Sequence, residues 1–173
     1  LRDYETKNQV TAALANQLTV GYWELEQAIE RLQDENKQLR HTKRELRQRL
    51  LDLEALQLVG TAAVLGPYRV VSAVWQHRSP EEMRILARKL ADHSSIVALL
   101  FSIAERTHFC FARAENLDLD VRELLQEACS QLSGKGGGRP EVAQGSASAA
   151  ELNVVQAVLS DLQLRWLRPR CPE

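Results

Sequence analysis

The residues best suited to chemistry lie between 133 and 147. Ser133-Gly134-Lys135-Gly136-Gly137-Gly138-Arg139-Pro140 opens a stretch that holds five of the chain's eight glycines. Glycine reaches backbone angles closed to other residues and lets a second backbone come close. Successive N–H groups can then line a concave anion site. Lys135 offers a point charge and Arg139 a planar fork matched to phosphate. Pro140 stiffens the exit. The chemistry these types suit is oxyanion binding, with a flexible connector as the competing reading. A nucleotide P-loop is excluded, because Arg139-Pro140 follows Gly138 where that motif needs Lys-Ser or Lys-Thr.

Other reactive side chains are scattered. His41, His77, His93 and His108 never stand four residues from a cysteine or another histidine, so they read as structural or solvated. Cys110, Cys129 and Cys171 are an odd number without CxxC spacing, which fits a reducing compartment rather than a disulfide framework or zinc site. Cys110 and Cys129 read as small core residues. Trp23, Trp75 and Trp166 read as packing anchors.

Composition narrows the choice. The chain has 173 residues, 22 Lys+Arg against 23 Asp+Glu and a net charge of −1, so function cannot come from bulk charge. An apolar share of 45% and a charged share of 26% describe a folded protein. No apolar run approaches the roughly 20 residues of a membrane span, which points away from a membrane; the reducing compartment that the cysteines suggest is expected to be the cytoplasm. The chain begins with Leu1 and carries a single Met, Met83, and so reads as a piece of something longer.

Two parts position these residues. Residues 1–57 show helical periodicity with one glycine and no proline. A first helix is expected from about Asp3 to Gln17, then a turn at Thr19-Val20-Gly21 with Thr19 as N-cap of the next helix. In that second helix Leu25, Leu32, Leu39, Leu46 and Leu53 recur every seven residues as position d. Tyr22, Ile29, Asn36, Lys43, Leu50 and Gln57 fall at position a. Such a repeat is a coiled-coil seam and needs a partner. A parallel homodimer is favoured. It pairs Asn36 with its own copy, Glu35 with Arg40 of the partner subunit, and Arg49 with Glu54 of the partner subunit. An antiparallel pair, or folding back onto the first helix, are the alternatives. Lys37, Arg40, Lys43, Arg44, Arg47 and Arg49 form a basic stripe, either a solvated face or a phosphate-contacting one.

Residues 58–173 read as a small globular domain. A strand is expected over Tyr68–Trp75 and a helix opening at Ser79-Pro80-Glu81-Glu82. The apolar run Ser95–Ala104 reads as a central strand, with a hairpin partner at Thr107–Ala114. A helix over Asp120–Leu132, the glycine-rich loop 134–138 and a last helix over Ala149–Trp166 complete it, with Arg165, Arg168 and Arg170 at a frayed end. The class is α+β: a helical hairpin or coiled coil, then a small mixed sheet packed with helices in the order β-α-β-β-α-β-α.

The words Gly134-Lys135-Gly136-Gly137-Gly138-Arg139-Pro140-Glu141-Val142-Ala143-Gln144-Gly145 closely resemble the signature of the DHH-associated C-terminal domain. The form is that of alanyl-tRNA synthetases and free-standing alanyl-tRNA editing proteins. The resemblance covers about residues 66–166. The upstream coiled coil matches the linker of both groups, and Leu1-Arg2-Asp3-Tyr4 looks like the end of their editing domain. The long free-standing editing type is the favoured parent over a full synthetase.

This resemblance implies tRNA binding, alanine tRNA foremost, with Lys135, Gly136, Gly137, Gly138, Arg139 and Gln144 near the RNA. Arg69, Arg78 and the coiled-coil stripe are further candidates. It implies dimerisation through Leu25, Ile29, Leu32, Asn36, Leu39, Leu46, Leu50 and Leu53. Editing in that family is a hydrolase reaction, deacylation of mischarged tRNA. It uses zinc held by a His-x-x-x-His and a Cys-x-x-x-His pair, neither of which occurs here. This fragment is therefore expected to hold no metal and to catalyse nothing alone, with the zinc in an editing domain outside it. The alternative is a DHH phosphoesterase fragment acting on nucleotides or single-stranded nucleic acid. Those relatives usually carry a His in the loop where Arg139-Pro140 stands here.

Overall fold

A computed structural model describes residues 2–167, with side chains from residue 5 onward. The readings placed on the side chains of residues 1–4, and on Arg168, Arg170 and Cys171, lie outside the described residues. The chain forms two compact units, Leu1–Gln48 and Arg49–Glu173. No described helix is long and apolar enough to cross a membrane.

The first unit holds α1 (Arg2–Leu18) and most of α2 (Leu25–Gly60). Thr19 is not the N-cap of α2. It sits at φ 56, in the left-handed region that ends α1, while Val20 N–H donates to Ala15 O at 3.0 Å. The turn into α2 is held instead by Gly21 N–H donating to the Glu24 carboxylate at 3.0 Å. Tyr22 therefore precedes the helix, and neighbouring Trp23 is 81% exposed rather than a packing anchor. Of the seam residues here, Leu25 is buried, while Ile29, Leu32, Leu39 (69%) and Leu46 are exposed.

The second unit begins inside α2, not at residue 58. The last turns of that helix carry a second apolar stripe, Leu51, Ala55, Leu58 and Val59, on a different face from the seam. Leu51 and Ala55 are buried against Met83, Leu86, Leu90 and Leu100, so this part of the helix belongs to the globular core. Leu50 and Leu53 stay exposed.

The sheet contains six strands in the order β1-β2-β3-β4-β6-β5. Short β1 (Ala63–Leu65) turns through Gly66, at φ 61, into β2 (Tyr68–Gln76). Sequence periodicity misses β1 because three residues between two glycines carry no pattern. β2 runs parallel to β3 (Ile96–Ile103), with α3 (Pro80–Ala91) as the crossover. Ser79 caps α3, accepting from Glu82 N–H at 3.2 Å, with Pro80 at the first helical position. β3 hairpins into β4 (Arg106–Arg113), and α4 (Val121–Leu132) follows with Asp120 as its cap. β5 (Lys135–Gly138), β6 (Val142–Ser148) and α5 (Leu152–Leu162) complete the fold, with a π turn over Gln163–Leu167. Arg165 is not frayed; its guanidinium pairs with Asp161 at 2.7 Å and Glu127 at 3.7 Å.

The apolar run of β3 is buried on both faces, as a central strand requires. On one face Phe101, Phe109 and Phe111 pack with ring centroids 5.4–6.0 Å apart beneath α4 and α5. On the other, Ala98, Leu100, Cys110 and Ala112 lie beneath α3 and the end of α2. That second layer is clasped by charge. The Arg78 guanidinium makes two bonds to the Glu54 carboxylate, at 2.5 and 2.6 Å, and lies 4.4 Å above the Trp75 ring. Lys89 pairs with Asp52, and Arg69 donates to Val59 O at 2.9 Å.

Arg78→Met should lower stability by about 2 kcal/mol in urea unfolding, since it strands half-buried Glu54 without its fork. Lys89→Met, with the more exposed Asp52 as partner, should cost under about 1 kcal/mol. Burial pushes the Cys110 thiol up to about 11 from 9.0, against the opposing pull of Arg84 and Arg88. Unfolding lets this thiol ionise earlier, so stability present below pH 9.0 should fall as pH rises towards about 11. Cys110→Ala should flatten that decline in melting temperature.

Candidate functional site

The segment expected to be a glycine-rich loop is an edge strand. α4 ends at Ser133, left-handed at φ 51, and Gly134 N–H donates to Cys129 O at 2.8 Å. The chain then extends, and Lys135, Gly136, Gly137 and Gly138 pair with Ser146, Gly145, Gln144 and Ala143 of β6. Among the described glycines only Gly66 has positive φ, so the triple glycine is not used for unusual backbone angles. Close approach is the reason. A Cβ on Gly136 would lie 2.6 Å from Gln144 O and 3.0 Å from the Leu125 side chain. On Gly138 it would lie 2.4 Å from Val142 O. On Gly137, whose missing side chain points to the opposite face, it would meet nothing within 4 Å.

Arg139 and Val142 exchange N–H···O bonds at 2.8 and 3.2 Å. The antiparallel alternation then turns the N–H and C=O of Gly136 and Gly138 outward along the open edge. The turn between the strands is anchored, because Val121 N–H donates to Pro140 O and Arg113 N–H to Glu141 O, both at 3.0 Å. The four residues of β5 are all exposed.

Beside this edge lies a groove of about 550 Å³, lined by Gly137, Gly138, Arg139, Gln144 and, from α3, Arg84 and Arg88. Arg84 and Arg88 stand one helical turn apart on α3, to one side of the buried face made by Met83, Leu86, Ala87 and Leu90. Among the described residues, Arg84, Arg88, Lys135 and Arg139 make no ion pair or side-chain hydrogen bond. The groove's one acid, Glu141, leans 3.8 Å from Arg113. A second hollow of about 280 Å³ adjoins the first through Gln144 and reaches Lys135, His108 and Ser146. A ligand here meets three exposed, unpaired guanidinium groups, the outward N–H of Gly138 and no side chain at Gly137, an arrangement suited to a polyanion.

The structure thus gathers Lys135, Gly136, Gly137, Gly138, Arg139 and Gln144 at one edge. It does not bring Arg69 or Arg78 to them, since both are spent on Val59 and Glu54. Nor is Glu54 free to meet Arg49 of a second copy. Of the basic stripe, Lys37, Arg40, Lys43 and Arg44 are exposed on α2 in the first unit. Arg84 and Arg88 were missed by motif reading; their spacing against the apolar face of α3 is the signal that finds them. Among the described residues, no group of three or more His, Cys, Asp and Glu is placed to hold a metal.

The DHHA1 domain model matches residues 68–164. The chain belongs to the DHHA1 domain family. An alanine–tRNA ligase of Methanococcoides burtonii is 28% identical over 131 residues, 74% of this chain and 14% of that protein. The alanyl-tRNA editing protein AlaX-L of Pyrococcus horikoshii is 26% identical over 119 residues, 69% of this chain and 29% of that protein. The chain therefore spans less than a third of the length of either relative. Among solved structures, the C-Ala domain from Aquifex aeolicus alanyl-tRNA synthetase superposes with a TM-score of 0.53 at 24% identity, covering 58% of this chain and 96% of that one. RecJ from Thermus thermophilus gives 0.53 at 18%, covering 93% of this chain and 27% of that one. Both share the fold. Within the DHHA1 domain the match runs from β2 to the end of α5, and so includes the whole groove.

The three glycines should separate in unfolding experiments. Gly136→Ala and Gly138→Ala should each lose roughly 1–3 kcal/mol through forced separation of β5 from β6. Gly137→Ala should stay within about 0.5 kcal/mol of the parent. Equal losses at all three positions would contradict the packing assignment.

Proposed function

We propose that this chain is the RNA-binding and dimerising module of an alanyl-tRNA editing protein, with alanine tRNA as its RNA. The metal-dependent deacylase and its zinc belong to a separate editing domain. One observation carries the reading: four unpaired cations, Arg84, Arg88, Lys135 and Arg139, gather at an edge strand whose last three residues have no side chain. Phosphate contacts of this kind supply affinity by releasing counterions, so binding falls steeply with salt. The editing protein and ligases among the relatives favour tRNA over other polyanions. The described cysteines are free thiols, which suits the cytoplasm.

The exposed seam supports a homodimer. Leu32, Leu39, Leu46, Leu50 and Leu53 are uncovered within the chain, and Asn36 lies among them at an a position. With Glu54 held by Arg78, the charge pair that sets a parallel register is Glu35 with Arg40 of the partner subunit.

Filter binding to alanine tRNA at several salt concentrations tests the groove. Arg84→Gln and Arg139→Gln should each weaken binding roughly tenfold and lower the log–log salt slope by about 0.7–0.9. Parental affinity and slope in both variants would remove the groove from the reading. Sedimentation tests the seam: Leu39→Asp should convert dimer to folded monomer, and Asn36→Leu should broaden the oligomer distribution. A parental chain that sediments as monomer would contradict dimerisation.

A further inference from the structure

We propose that two copies of α2 meet antiparallel, each laying its acidic half along the basic half of the other. This orientation builds on the homodimer reading above and reverses the parallel register that the heptads alone favour.

The charges of α2 are segregated along its length. From Glu24 to Asn36 there are five acids and one base, Arg31. From Lys37 to Arg49 there are six bases and one acid, Glu45, which lies 3.4 Å from His41. Every residue from Ile29 to Leu50 is exposed, so these charges and the seam between them are open to a second chain. Two unlike halves of equal length on one helix match a reversed copy of themselves. A parallel pair instead lays the two basic halves side by side, and the two acidic halves likewise. It keeps one attractive contact, Glu35 with Arg40 of the partner subunit, and it brings both Lys43 ammonium groups into a single layer of the seam.

The heptads permit the reversal, because turning one helix end for end sets position a against position d. With the turning point between Lys37 and Gln38, the layers become Ile29 with Leu46 of the partner subunit, Leu32 with Lys43 of the partner subunit, and Asn36 with Leu39 of the partner subunit, each occurring twice. Ile29, Leu32, Leu39 and Leu46 are all exposed, whereas Leu25, buried within its own chain, falls outside these layers. Lys43 then lays its methylene stem on Leu32 of the partner subunit and turns its ammonium towards Glu35 of the partner subunit. At the flanking positions Glu26 meets Arg47 of the partner subunit. The two Asn36 residues stand three residues apart along the axis, about 4.5 Å, so their amides still meet across the seam.

Sedimentation of the whole chain at low and high salt tests the orientation. Between about 0.01 and 1 M salt the screening length falls from about 30 to about 3 Å. A dimer held by unlike charge should weaken roughly tenfold over that range, whereas a parallel one should tighten. Cysteines placed in the seam give an independent reading. Ile29→Cys mixed with Leu46→Cys should form an interchain disulfide under mild oxidation, located by peptide mass, and Ile29→Cys alone should form none with its own copy. In a parallel pair those two positions lie about 25 Å apart, while the two copies of residue 29 are close enough to bridge. Both positions are exposed, so the fold of the chain does not rest on them. A dimer that does not weaken with salt, one that links Ile29→Cys to itself, or one that forms neither disulfide overturns the antiparallel arrangement and leaves the homodimer standing. A parental chain that sediments as monomer at every salt concentration overturns both.

Discussion

The absence of two Cβ atoms decides what this domain can do. At Gly136 and Gly138 the missing carbons let β5 settle against β6 and the Leu125 side chain of α4. Any larger residue there would push the strand off the sheet. With β5 in place, the outward N–H groups of Gly136 and Gly138, the Arg139 side chain and the bare Gly137 surface fall on one edge. Without it, Lys135 and Arg139 would be ordinary solvated cations on a tether.

The rest of the fold keeps that edge aligned with α3. Cys110 and Ala112 of β4 lie under α3, and β4 is hydrogen-bonded to β6, so Arg84 and Arg88 reach the glycines through one intervening strand. Arg78 and Lys89 tie the same layer to Glu54 and Asp52 of α2. Cations that look equivalent in the sequence thus divide into two kinds. Arg69 and Arg78 hold structure, with Arg78 only 11% exposed, whereas Arg84, Arg88, Lys135 and Arg139 face solvent unpaired. The division follows from which side of an element each residue occupies.

Much of this architecture was legible beforehand. The apolar run at Ile96–Ile103, the Ser79-Pro80 start of α3 and the Asp120 start of α4 each rest on local chemistry that tertiary structure does not override. The class, α+β with a mixed sheet behind a long helix, follows from them. Composition misleads at the glycines, because Gly-rich stretches usually mark turns. Only the partner strand and α4 make extension of residues 135–138 favourable, and neither is visible locally. Thr19 fails for a related reason: the residue type suits an N-cap, but the preceding helix reaches it first. Arg84 and Arg88 belong to no motif, so the site was half legible: its backbone and the cations Lys135 and Arg139 from the signature, its other two cations only from the packing of α3.

The central claim is that the edge of β5 and the arginines of α3 meet the same RNA. Backbone and arginine side-chain NMR during titration with alanine tRNA tests it most directly. The amides of Gly136 through Arg139 and the guanidinium signals of Arg84 and Arg88 should move together, saturating at one RNA concentration. Movement confined to α1 or α5, with the glycine amides still, would contradict it.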